Sequence, residues 1–236
     1  MQEELSKLYD LQLIDSAILV IRKNLASLDT GKVQEAALNV ARQIHETADM
    51  TLKTLKTDLH DSELELKSVE DKKKKFENLL YTGKISNPKE LDNTEKEVEA
   101  LGRQRGRLDD KILGLWDKIE TATTDEAAAK KALASSQVDY DEHMRQYQAQ
   151  KLALEHQWAK HNTERKAAAA KVDPTILSKY DIIRVKHGGY GISRIDADVC
   201  GICRTAVASF FLNRLKEGAK QIITCDNCKR ILYFTE

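Results

Sequence analysis

From Leu11 to Leu28 apolar residues return in alternating steps of three and four, at Leu11, Ile14, Ile18, Ile21, Leu25 and Leu28. That rhythm is a heptad seam, the stripe one helix buries against another. The register slips around Asp29-Thr30-Gly31, where a bend is expected. It resumes through Leu52, Leu55, Leu59, Leu66, Val69, Phe76 and Leu80, with Ser62 and Lys73 at two seam positions that lack an apolar residue. A second stripe runs through Val98, Leu101, Leu108, Ile112, Leu115 and Ile119. Beyond Ala122 alanine and polar residues dilute it, so looser packing is expected to about residue 171.

The two prolines, Pro88 and Pro174, divide the chain into three parts. Gly83 can take the left-handed conformation that ends a helix, and Asn87-Pro88 restarts one, with Asn87 as N-cap and Pro88 in the first turn. A short loop between two striped helices favours antiparallel pairing. Residues 1–171 therefore read as an antiparallel coiled-coil hairpin with its tip at about 81–88; a compact bundle and an intermolecular coiled coil are the alternatives. Asp173-Pro174 opens a short helix to about Val185. Ile192–Ile195, Ile222–Thr224 and Ile231–Phe234 then read as short strands, making 172–236 a small C-terminal domain.

Composition agrees. Ten glycines and two prolines in 236 residues are few, and aromatics reach only 6%, as long helices require. The 38 basic and 38 acidic side chains cancel, so any attraction for nucleic acid or an anionic surface has to be local. No apolar run is long enough for a membrane span and the first residues show no secretory pattern, so a cytoplasmic location is expected. The run Lys72–Lys75 is flanked by Glu70, Asp71 and Glu77 and reads as a solvated face.

All four cysteines lie in the last 37 residues, as Cys200-x-x-Cys203 and Cys225-x-x-Cys228 with 21 residues between the pairs. Two residues between ligands let a loop bend so that both sulfurs meet one ion, and two such knuckles complete a closed tetrahedral site. This spacing favours structural Zn²⁺; iron in a four-thiolate site and dithiol redox chemistry are the alternatives. Residues 172–236 carry ten Lys/Arg against seven Asp/Glu, and four thiolates on a divalent ion bring that small excess close to neutrality. Arg204, Arg214, Lys216, Lys220, Lys229 and Arg230 are left as a candidate patch for nucleic acid or a protein partner, with Tyr233 and Phe234 as stacking candidates. The competing reading puts Tyr233 and Phe234 in the last strand as ordinary core and surface residues. No Ser/His/Asp set, phosphate-cradling glycine loop or carboxylate pair occurs in a recognisable context, and neither an enzyme nor a small-molecule substrate is expected.

The tip segment Leu80–Leu91 and the tail resemble a bacterial family of coiled-coil proteins with a C-terminal four-cysteine zinc ribbon. The tail shares Tyr180–Arg184, Gly188-Gly189, Arg194, Leu212–Leu215, Gly218, both cysteine pairs and Arg230–Tyr233. The resemblance implies a long, bent antiparallel hairpin and structural zinc. It also implies binding to the nitrogen-type alternative sigma factor, links to flagellar or type III secretion and, in one lineage, binding of a flagellin transcript by the ribbon. The chain departs from the family at Asp226, where proline is usual, at Lys229, where a knuckle glycine is common, and at Arg204-Thr205-Ala206, which lacks the proline often found after the first knuckle. The function expected is that of a non-enzymatic cytosolic adaptor or regulator using the hairpin and the ribbon to bind protein partners; the alternative is an RNA- or DNA-binding regulator acting through the ribbon.

Overall fold

The computed structural model describes residues 1–83, 85–217 and 221–234. The chain is mainly helical, a coiled-coil hairpin followed by a small four-cysteine region. Four helices come first: α1 (Gln2–Ala26), α2 (Lys32–Tyr81), α3 (Pro88–Ala169) and α4 (Pro174–Lys186). They are followed by β1 (Ile192–Asp196), β2 (Val199–Cys200), α5 (Ser209–Lys216) and β3 (Ile231–Tyr233). Packing divides the chain into two units, one of Gly31–Met144 and one of Met1–Thr30 with Arg145–Glu236.

In the first unit α2 and the N-terminal part of α3 run antiparallel. Across the helices His45 pairs with Glu126, whereas Glu65 and Glu70, further along α2, pair with Gln104 and Arg105, further back along α3. The residues α3 buries, Leu101, Leu108, Leu115, Ala122 and Ala129, are seven apart. On α2, Leu38, Ala41, Leu52, Ser62 and Val69 are buried, and Ser62 satisfies its hydroxyl on the Asp58 carbonyl at 2.6 Å. Ala122 and Ala129 thus continue the seam, and Ala129 is buried within the stretch expected to be diluted by alanine. At the tip Gly83 has φ +65°, and the Lys89 N–H donates to Asn87 Oδ1 at 3.0 Å. The expected bend near Gly31 is a full interruption. α1 ends at Ala26 and α2 begins at Lys32, with Gly31 at φ +77° as its N-cap. A Cβ at Gly31 would lie 2.9 Å from the His143 ring.

The second unit joins α1 to the end of α3, α4 and the C-terminal sheet. Asp173 caps α4 by accepting from the N–H groups of Thr175 and Ile176 at 2.9 and 3.2 Å, and Pro174 follows where no donor is missed. The sheet has the order β2-β1-β3. β1 pairs antiparallel with β2, Ile195 opposite Cys200, and parallel with β3, Ile192 opposite Ile231. The β1–β2 turn has two left-handed residues, Ala197 and Asp198, as a type I′ hairpin requires. Of the strand expected at 222–224 only a bridge from Thr224 to Ile231 forms, while α5, unforeseen from the sequence, buries Leu212 and Leu215.

One core of this unit unites Leu5, Leu8 and Leu11 of α1 with Val172, Ile176 and Tyr180 and with Ile192, Ile231 and Tyr233 of the sheet. Above it lies a buried polar network. The Asp15 carboxylate accepts from Tyr180 Oη at 2.7 Å, Arg165 Nε at 2.7 Å and Arg184 Nη1 at 3.3 Å. Gln12 accepts from the Gly191 N–H at 2.7 Å and donates to the Gly189 carbonyl at 3.0 Å. Burial, followed by the hydrogen bond to Asp15, raises the Tyr180 phenol well above its usual range. Gly191 is required here, because a Cβ would meet the Tyr180 ring at 2.5 Å and its carbonyl oxygen at 2.8 Å.

Candidate metal centre

The two knuckles are built alike. In the first, the Arg204 N–H donates to the Cys200 carbonyl at 2.8 Å and the Cys200 N–H to the Thr205 carbonyl at 2.9 Å. In the second, the Lys229 N–H donates to Cys225 and the Cys225 N–H to Arg230, each at 2.8 Å. Both turns close through a left-handed residue, Arg204 at φ +60° and Lys229 at φ +58°. Glycine adopts this conformation without the Cβ clash a basic side chain incurs. Lys229 therefore holds a backbone geometry that glycine would adopt without strain. Gly201 does need to lack a side chain, since a Cβ would sit 2.7 Å from the Arg194 carbonyl oxygen.

The turns bring Cys200, Cys203, Cys225 and Cys228 together, with all four sulfurs within 4.8 Å of one another. Cys200 Sγ and Cys228 Sγ are 3.8 Å apart, and Cys203 Sγ and Cys225 Sγ 3.7 Å. Four thiolates around Zn²⁺ at about 2.3 Å define a tetrahedron with edges of about 3.8 Å, whereas a disulfide needs about 2.05 Å. Two of the six sulfur–sulfur distances match that edge, and all six lie within 4.8 Å, as a closed four-thiolate ion site needs and a disulfide does not. Cys200 and Cys225 are buried and back onto Val207, Leu212, Leu215, Ile223 and Leu232. Thr205 pulls the Cys203 thiol down to about 6 by hydrogen bonding, while burial pushes Cys225 up to about 12. Among the described residues this is the one group of metal-ligating side chains gathered in this way.

The candidate binding residues part company. Arg204, Arg214, Lys216 and Lys229 are exposed; the Arg214 guanidinium lies 5.6 Å from the Phe210 ring and the Lys216 ammonium 5.5 Å from the Phe234 ring. Arg230 is committed inward, donating to the Tyr190 and His187 carbonyls at 3.0 Å each. Tyr233 is buried, its ring centroid 5.3 Å from that of Tyr9, and presents no face for stacking. Lys220 lies outside the described residues. Phe210, 65% exposed on α5, is an aromatic the sequence reading passed over; its signal is an apolar residue off the Leu212–Leu215 face.

Fold and site together define a coiled-coil hairpin protein with a C4-type zinc ribbon. Residues 11–188 match the CT398-like coiled coil hairpin domain and 199–232 the C4-type zinc ribbon domain. The chain belongs to the CT398-like coiled coil hairpin family. It is 23% identical over 207 residues to an uncharacterized protein of Mycobacterium tuberculosis, covering 84% of each chain. Two solved structures share its fold. CT398 from Chlamydia trachomatis superposes with a TM-score of 0.76 at 18% identity, over 99% of this chain and 98% of that one. A protein of Mycobacterium smegmatis gives 0.70 at 18% identity, over 100% and 99%. No helix among the described residues is long and apolar enough to cross a membrane.

Proposed function

We propose that Cys200, Cys203, Cys225 and Cys228 hold a structural Zn²⁺ and that the protein is a non-enzymatic adaptor, its helical hairpin and its ribbon docking protein partners. The observation that carries this reading is the closed set of four thiolates: an ion held by all four keeps no open position for water or substrate, so it supports folding and not turnover. Arg204 and Lys229 shape the knuckle turns, and Ser193 supports Cys200, its hydroxyl 3.2 Å from the sulfur. Elemental analysis of purified protein tests the ion: one zinc per chain is expected, lost in Cys225→Ser. The partner class, an alternative sigma factor or a secretion component, rests on the family resemblance. It is tested by measuring binding of the purified zinc-loaded protein to the host's own nitrogen-type sigma factor; no binding at tens of micromolar would remove that partner.

A second reading, an RNA- or DNA-binding regulator acting through the ribbon, is favoured by the exposed Arg204 and Lys229 at matching positions of the two knuckles. It expects binding that weakens steeply with salt and a slope that flattens in Arg204→Gln/Lys229→Gln. Binding without that change would assign the contact elsewhere.

A further inference from the structure

We propose that α2 carries a second heptad face, opposite a second copy of this chain in solution, through which two hairpins associate antiparallel; this goes beyond the partner reading and does not involve the ribbon. The helix already buries Leu38, Ala41 and Leu52. A separate seam with the same three-and-four rhythm runs through Val33, Ala37, Val40, Ile44, Thr47 and Thr51. Its large members are open: Val33 is 75% exposed, Val40 55% and Ile44 56%. The threonines add to its apolar character, because Thr47 and Thr51 donate their hydroxyls to the carbonyls of Gln43 and Thr47 at 2.8 Å, and Thr54, one step on, to that of Met50 at 2.9 Å. With the hydroxyls satisfied inside the helix, their methyl groups are free to pack.

Charge decides the occupant. The positions flanking this seam are glutamine, alanine, methionine or leucine from Gln34 to Leu55, and the charged residues of the segment, among them Glu35, Arg42, Glu46 and Lys53, fall on the remaining positions. Flanking charges ordinarily set partner and orientation in a coiled coil. A face without any neither repels nor selects, and it meets its own copy with no like-charge penalty. The most common closed arrangement of identical chains is a twofold in which one patch faces itself. Antiparallel register about residue 42 sets Val40 against Ile44 of the second copy and Ile44 against its Val40, with Ala37 opposite Thr47. The bulky pairs gather at the axis and the small ones let the helices close on either side. Where Ala48 meets Ala122 a groove of about 390 Å³ opens beside Val40 and Ile44, with Asp125 the charged residue lining it. The face from Val33 to Thr51 is about 27 Å long; two of them joined bury on the order of 1,000 Å², the lower bound for a specific interface.

Sedimentation of the full zinc-loaded chain between 1 and 200 µM tests the proposal. A dimer that dissociates on dilution is expected, with Val40→Lys/Ile44→Lys monomeric throughout at unchanged helicity, both residues being exposed. A wild type that stays monomeric at 200 µM, or a double variant that still dimerises, overturns it. Should that variant lose helicity, cross-linking decides: Gln43→Cys, near the axis, links to its mate through a short bifunctional thiol reagent, while Val33→Cys, about 28 Å from its own mate, does not. Linking at Val33 without linking at Gln43 refutes the antiparallel arrangement.

Discussion

Replacing Asp15 by alanine probes the junction of α1 with α3 and α4. Its side chain is 1% exposed and ties together Arg165, Arg184 and Tyr180. Deleting one member of a buried ion pair costs about 3–5 kcal/mol, because the remaining charge stays buried without compensation. Here the low end applies. Arg165 keeps Asp181 at 2.8 Å, Arg184 keeps it at 3.3 Å, and Tyr180 keeps Gln12 at 3.2 Å. About 3 kcal/mol is expected for Asp15→Ala. Asp15→Asn keeps an oxygen to accept from Arg165 and Arg184, while its amide nitrogen replaces the oxygen that accepts from Tyr180, whose hydroxyl must turn to accept; it should cost about half of that. Because the chain has two packing units, the loss in this variant is read from probes local to each. Hydrogen exchange should be followed by mass spectrometry: peptides from α1 and α4 lose protection while those from 45–70 and 100–126 do not. A loss below about 1 kcal/mol, or equal deprotection in both units, would refute the reasoning.

The buried Tyr180 predicts an alkaline limb. Folding holds the proton on a phenol that ionises near 10 when unfolded, so its stabilisation is complete below that pH and falls by up to about 1.4 kcal/mol per unit above it; in Tyr180→Phe, denaturant titrations at pH 9 to 11 should lose this increment of the slope. Lys229→Gly and Arg204→Gly should each stabilise the ribbon by about 1 kcal/mol, because both residues occupy left-handed backbone where glycine is unstrained; thermal unfolding of the zinc-loaded protein checks this, and a lowered midpoint would contradict it. Stripping the metal with a chelator should deprotect α1 along with the ribbon, since Leu5, Leu8 and Leu11 pack on Ile192, Ile231 and Tyr233; exchange rates of α1 unchanged after chelation would disprove the coupling.

The tip was legible because its signals are local: Gly83, Asn87 and Pro88 each act through their own backbone. The same holds for the metal site, whose ligand spacing is written in two four-residue motifs. Long-range substitutions were hidden. Asp15 and Gln12 stand among the leucines and isoleucines of α1, and only their partners some 150 residues away explain why polar groups belong there. Ala129 lies in the stretch where alanine reads as dilution, although its place seven residues after Ala122 and fourteen after Leu115 continues the seam. Arg230 and Tyr233 were open to a binding role until their neighbours His187, Tyr190 and Tyr9 came into view.

The contact of α1 with β3 bears on how the chain is made. Leu5, Leu8 and Leu11 leave the ribosome more than 200 residues ahead of Ile231 and Tyr233, on which they pack. Until then this leucine face has no native cover from β3, and closing such a distant contact is slow. The emerging polypeptide is therefore exposed to aggregation at the leucine face of α1, and arrival of the second cysteine knuckle is the event that allows α1 to settle.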